Sequence, residues 1–174
     1  MRPLKDILDL NKKAWDNIAG RYDERSGALK EFSDVFNAFT GKLPRNGRVL
    51  DLGCGTGLPY ASHLVKNGFD VLGVDLSEEM VKVATRNVPE AKFVQRSMSE
   101  IEYRDKFDGA LSSFSMLLLT PELFRETASR IYASLVDGGC FYLSLNEPGN
   151  DSHDPVSDVF VNLMGQDMYT RGYR

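Results

Sequence analysis

Three glycines at alternate positions, closing an apolar β-branched run, constrain this chain more than any other feature. The run reads Arg48-Val49-Leu50-Asp51-Leu52-Gly53-Cys54-Gly55-Thr56-Gly57-Leu58. It predicts a buried strand entering a tight turn, with Leu58 opening a helix on the far side. Glycine permits positive φ and lets a ligand lie against bare backbone, while a helix behind the turn aims unpaired N–H groups and a partial positive charge at the occupant. The turn is therefore a ligand cradle, and the expected ligand carries a carboxylate or a phosphate.

The segments around the cradle alternate in period. Upstream, Ile7, Leu8, Asn11, Ala14, Trp15, Ile18, Ala19 and Tyr22 fall at helical spacing, and Leu29, Phe32, Val35, Phe36 and Phe39 form a second stripe ending at Thr40-Gly41. Both are rich in aromatic residues and are expected to lie across something rather than extend into solvent. Downstream, Leu58, Ala61, Leu64 and Val65 predict a helix stopping at Asn67-Gly68, then Phe69 to Val74 a strand ending at Asp75. Ser77 suits the N-cap of the next helix, which carries Glu78 and Glu79 in its first turn and stops at Pro89. Short strands follow at Ala91 to Val94 and Phe107 to Ser113. A helix opens at Thr120-Pro121 and closes at Asp137-Gly138-Gly139, and Cys140 to Leu145 is a final apolar strand.

Strands alternating with helices predict an α/β domain, doubly wound and mostly parallel, with a Rossmann-like sheet covered by helices on both faces. Ligands on such sheets sit beyond the carboxyl ends of the strands, where the cradle, Asp75, Ser97-Met98 and Ser112 to Met116 all fall. The expected organisation is one domain: a helical cap over residues 1–46, a cofactor-binding core over 47–146 and an incomplete C-terminal part over 147–174.

Charge and cysteine usage narrow the function classes. A net charge of -4 at pH 7 leaves no basic face, so nucleic acid is not an expected partner. Cys54 and Cys140 form no disulfide framework, and no Cys/His spacing suits zinc; His153, between Asp151 and Asp154, reads as part of a solvated charge cluster. The expectations are no metal, no membrane span and a reduced, cytoplasmic setting.

Two ligand classes use a glycine turn followed by an acid at the next strand end. The dinucleotide fingerprint G-x-G-x-x-G fails here at its last position, because Gly57 follows Gly55 by two residues. The carboxylate of Asp75 has two acceptor oxygens and can take both hydroxyls of a ribose, with or without phosphate. At this point the chain resembles the class I S-adenosylmethionine-dependent methyltransferases, whose first motif is an acid followed by G-x-G-x-G. The matching residues are Asp51, Gly53, Gly55 and Gly57. The likeness continues in order through Val71 to Ser77, Phe93-Val94-Gln95, Lys106-Phe107-Asp108 and Leu135 to Gly139.

The resemblance implies a methyltransferase using S-adenosylmethionine, with the backbone of Gly53, Cys54, Gly55, Thr56 and Gly57 supporting the methionine part and Asp51 orienting the loop. It places Asp75 on the ribose, Leu76 and Met80 on the adenine, and Ser97 and Met98 at the adenine edge. Many family members have an acid where Ser97 stands. Ser112, Ser113 and Phe114 would face the cofactor's amino group and the methyl acceptor, and Tyr22, from the cap, would cover the sulfonium. The fourth-strand loop lacks both the Asn/Asp-Pro-Pro-aromatic motif of adenine and glutamine enzymes and the Pro-Cys pair of cytosine-C5 enzymes, which leaves a small-molecule acceptor by elimination. No general base is assigned, although Glu147 and His153 lie nearest. The alternative is a non-catalytic cofactor-binding or partner-regulating protein of the same fold.

The family's sheet resembles seven strands ending in an antiparallel hairpin, and the tail from Asn146 to Arg174 is too short and polar for it. Without that hairpin Cys140 to Leu145 would be an apolar edge strand. A fragment of a longer protein is the favoured explanation, and a homodimer covering the edge is the other.

Overall fold

The computed structural model describes residues 4–22 and 34–145. Leu29, Phe32, Glu147 and His153 lie outside the described residues. Helix α1 spans Leu4–Ile18 and runs into a short 3-10 turn at Ala19–Arg21, and α2 spans Asp34–Lys42. Then come β1 (Arg48–Leu52), α3 (Tyr60–Lys66), β2 (Asp70–Asp75), α4 (Glu78–Asn87), β3 (Lys92–Gln95), β4 (Phe107–Ser113), α5 (Pro121–Ser134) and β5 (Leu135–Ser144).

The five strands form one all-parallel sheet in the order β3-β2-β1-β4-β5. From β1 the chain winds outward through β2 and β3, then returns across β1 to lay down β4 and β5. The switch in direction lies between β1 and β4, where a crevice opens beyond the carboxyl ends. Strand periodicity divides the apolar side chains between two cores. Leu50, Leu52, Val74 and Ala110 point to the face covered by Leu123, Phe124 and Ile131 of α5. Val49, Val71 and Leu111 point to the other face, with Phe36 and Phe39 of α2 and Ala61 and Leu64 of α3. A strand buried on both faces needs an almost unbroken apolar run, which is why β1 reads as one.

Local chemistry accounts for the element boundaries. Ser77 caps α4 by accepting from the Met80 N–H at 3.1 Å, and Thr120 caps α5 with Pro121 inside its first turn. Two expectations are corrected. Leu58 does not open α3; Pro59 precedes the first helical residue, Tyr60, and Leu58 is 41% exposed at the cavity wall. Proline belongs to the first turn of a helix and disfavours helical backbone just before it. The last strand starts earlier than expected, because Phe107 pairs with Leu135 and Gly109 with Cys140. Between those pairs β5 loops out, and Gly138 takes a positive φ of 77° there.

An aromatic cluster ties α2 to the sheet. The Phe36 ring lies 5.3 Å from Tyr142 of β5 and 5.0 Å from Tyr60 of α3, both edge-on. Among the described residues β5 has a neighbour on its inner edge only.

Candidate functional site

The cradle is welded to the end of β2. The N–H groups of Gly53 and Cys54 both donate to the Val74 carbonyl, at 2.8 and 3.1 Å. The Gly55 N–H donates to Asp75 Oδ2 at 2.9 Å, and the Ser77 N–H to Asp75 Oδ1 at 2.9 Å. Asp75 therefore organises both the glycine turn and the start of α4 while its remaining lone pairs face the cavity. The glycines differ in purpose. A Cβ on Gly53, whose φ is 71°, would stand 2.4 Å from the Ser115 Cβ, so glycine there allows the turn after β4 to close on β1. Gly55, at φ 52°, has open space where a Cβ would be. Gly57 abuts Val88 and Phe93 and belongs to packing behind the turn.

These residues form one end of a cavity of about 340 Å³. Asp51 is 3% exposed, lines the cavity and receives no hydrogen bond from a described residue. Burial, and then the negative charge of Asp75, push its carboxyl up to about 7. Burial also raises Asp75, although the N–H groups of Ser77, Gly55 and Leu76 act against it. Burial first, and then the same two acids, push the Cys54 thiol well up, so it is not a thiolate nucleophile. A cavity lined by two carboxyls, the charge of one raising the other, is built for a ligand that brings positive charge or hydrogen-bond donors.

The β2/β3 side of the wall is Leu76, Met80, Arg96, Ser97 and Met98. The Ser97 hydroxyl is bonded to the Ser99 hydroxyl at 2.7 Å and caps the short turn at Met98–Glu100. The β4/β5 side is Ser113, Phe114 and Ser115 with Leu58, Pro59 and Tyr60 from the cradle side and Leu118 and Leu119 beyond. Ser115 donates to the Leu52 carbonyl at 2.7 Å, so the 2.7 Å bond between Ser112 and Ser115 has Ser112 as donor. Ser112 is fully buried and stands behind the wall, as do Thr56 and Gly57. Burial, and then the neighbouring Tyr142, push Tyr60 up to about 12, while the Ser113 hydroxyl acts against them.

Helix α1 closes the top. Leu8, Asn11 and Trp15 share one helical face and line the cavity together with Tyr22, whose ring meets Trp15 edge-on at 5.9 Å. The helix is fastened by Asp16, whose Oδ1 accepts from the Ser77 hydroxyl at 2.6 Å and from the Glu79 N–H at 3.3 Å. Lys12 holds the other oxygen at 2.6 Å.

A family model described as a methyltransferase domain matches residues 49–139, from β1 to the loop within β5. The chain belongs to this methyltransferase family. It is 37% identical over 122 residues to a putative methyltransferase of Geobacillus sp. (strain WCH70), covering 66% of this chain and 49% of that protein. It is 33% identical over 102 residues to a dTDP-3-amino-3,4,6-trideoxy-alpha-D-glucopyranose N,N-dimethyltransferase of Streptomyces venezuelae, covering 57% and 43%. The fold superposes on a TehB-like SAM-dependent methyltransferase from Corynebacterium glutamicum with a TM-score of 0.62 at 23% identity, over 87% of this chain and 79% of that one. The chain spans about half the length of these two curated relatives.

S-adenosylmethionine is the cofactor of this class I methyltransferase domain. The cavity suits it: two acids face a molecule that carries a sulfonium and an ammonium group, and Gly55 leaves bare backbone beside them. Of the residues expected from sequence, Tyr22, Asp51, Gly53, Cys54, Gly55, Asp75, Leu76, Met80, Ser97, Met98, Ser113 and Phe114 meet around this one cavity. Sequence reasoning missed Leu8, Asn11, Tyr60, Arg96 and Leu118 as lining residues. Leu8 and Asn11 had a usable signal, since they share the helical face of Trp15; Tyr60 had none. Among the described residues no group of acids, histidines and cysteines could hold a metal, and no helix is long and apolar enough to cross a membrane.

Proposed function

We propose that this methyltransferase domain transfers a methyl group from S-adenosylmethionine to a small-molecule acceptor. The observation that carries the reading is the buried Asp51 beside Asp75 at the floor of a cavity that runs from the end of β3 to the turn after β4. In this reading Asp75 holds the ribose hydroxyls, Leu76 and Met80 pack on the adenine, and Asp51 offsets the cofactor's positive charge. The cofactor supplies a methyl already activated by its positive sulfur, so the protein's part is to hold acceptor and methyl about 3 to 3.5 Å apart in a dry, preorganised site. Trp15 and Tyr22 exclude water from above. Residues 1–46 act as the cap and 47–146 as the cofactor core.

A relative that carries an amino sugar on dTDP in its name supports an acceptor of small-molecule size. The same reading includes a cytoplasmic setting and a second copy of the chain against the outer edge of β5. Calorimetric titration of S-adenosylmethionine into the wild type and Asp75→Ala, with NAD as control ligand, tests it. Binding lost in the variant, with no response to NAD, is the expected outcome. A folded wild type that ignores S-adenosylmethionine would overturn the reading, and binding without transfer to any acceptor in a broad screen would favour a non-catalytic cofactor-binding protein.

A further inference from the structure

Phe114 is held in a conformation its side chain does not favour. Its φ is 52°, in the left-handed region where a bulky residue is strained, yet its ring is 53% exposed and lines the cavity. No burial of that ring explains the strain. Hydrogen bonds at Phe114 itself and at Ser115 hold the backbone there. The Phe114 N–H is shared between the Ser144 carbonyl at 3.1 Å and the Ser144 hydroxyl at 3.2 Å, and Ser115 is locked to the Leu52 carbonyl. The backbone around Phe114 is over-determined, and the outcome is a ring presented at the cavity mouth.

The surroundings of that ring have a consistent character. Leu58 and Leu118, 41% and 42% exposed, stand on the same wall. Beneath them runs a chain of hydroxyls: Ser144 donates to Ser113 at 3.1 Å, and Ser113 and Tyr142 both bond the Tyr60 hydroxyl. Hydroxyls serve a neutral partner, as donor or as acceptor. The charged side chains of the described lining, Asp51, Asp75 and Arg96, all lie on the β1 to β3 side. Exposed apolar side chains gathered at the rim of a polar-floored cavity mark a binding surface.

With the acceptor on this β4/β5 side, as the family resemblance implies, we propose that the wall selects a planar, uncharged acceptor, its face against Phe114 and a hydrogen-bonding edge toward Tyr60 and Ser113. The inference rests on the methyltransferase reading. Aromatic faces recognise planar partners by offset or edge-on stacking, and the strained backbone fixes the ring before the acceptor arrives, so less ordering is lost on binding. Phe114 and Tyr60 are specificity-determining residues in this assignment, while Ser115 and Ser144 position Phe114.

Ligand-observed NMR titrations test it, with 4-hydroxyquinoline, indole and 7-hydroxycoumarin as planar probes and citrate as the anionic one. Each titration is run without and with saturating S-adenosylhomocysteine. The planar probes are expected to bind the wild type at least tenfold more tightly than citrate. Phe114→Gly is expected to weaken them about tenfold while the melting temperature holds or rises, since glycine accepts that φ without strain. Phe114→Leu and Tyr60→Phe are each expected to weaken them three- to fivefold, and Tyr132→Ala, altering a ring 82% exposed on α5 and outside the cavity lining, should change nothing. Planar binding that is indifferent to Phe114→Gly, citrate binding that matches the planar probes, or no planar binding to the folded wild type would each overturn the assignment. Failure to bind S-adenosylhomocysteine would sink the methyltransferase reading instead, and the titrations without it would still decide the subsite.

Discussion

Where β1 meets β2 the cavity wall is backbone and acid, with N–H groups of Gly55 and Ser77 fixed on the Asp75 carboxyl; on the β4/β5 side it is rings and hydroxyls. The first side depends on where the main chain goes. A carboxyl at a strand end and a glycine turn are both set by local spacing, and in the proposed reading they serve the cofactor. The second side depends on which side chains the sheet order brings together. Its residues come from the turn after β1, the end of β4 and the turn that follows β4.

The harshest way to break the comparison is at Gly53, the hinge between the two sides. Gly53→Ala adds a Cβ at 2.4 Å from Ser115 in a backbone with φ of 71°. We expect it to cost about 3 kcal/mol from left-handed strain and overpacking together, read as a lower urea midpoint with loss of both ligands. Asp75→Ala acts on one side only. It removes the acceptor of two backbone N–H groups and of the expected ribose, and S-adenosylmethionine affinity should fall about 100-fold by calorimetry, while the planar probes keep their affinity for the protein.

Asp51 sharpens the difference through pH. In the fold its carboxyl keeps a proton up to about pH 7, whereas in the unfolded chain it titrates at the ordinary value of about 4. Between those values the folded state binds more protons, so this residue makes stability fall as pH rises from about 4 to about 7. Asp51→Asn should remove that slope, a change of about 4 kcal/mol across the window in urea titrations at several pH values. The cationic cofactor should show the opposite trend in the wild type, binding more tightly as Asp51 ionises near pH 7, and the Asp51→Asn variant should hold a flat affinity across the same range. The smallest effect belongs to the cap. Asp16→Ala removes the bonds to Ser77 and Glu79, and a loss of about 1 kcal/mol in stability is expected, with faster cofactor release followed through the single tryptophan, Trp15.

Much of the cofactor side is legible in the sequence, because each of its features is local. Glycines at alternate positions, an acid closing the following strand, and Ser77 ahead of two glutamates each carry their physical cause within a few residues. The same locality explains the two errors of boundary. Leu58 sits in an apolar stripe at helical spacing, yet the proline after it holds the helix off until Tyr60. Cys140 to Leu145 is the apolar part of β5, yet hydrogen bonding to β4 recruits Leu135 across a loop that no periodicity marks.

Sequence alone determined the order of strands and helices, the cradle and its acid, and the family, since period, turn chemistry and motif spacing are properties of neighbouring residues. Only the tertiary structure decided that Tyr60 would meet Ser113 and Tyr142, that Ser144 would hold Phe114 in a strained turn, and that Asp51 would be buried with no hydrogen-bond donor among the described residues. Those contacts join elements that lie far apart in the chain and side by side in the sheet. Their energies depend on burial and on direction across strands, which no local pattern of residues records.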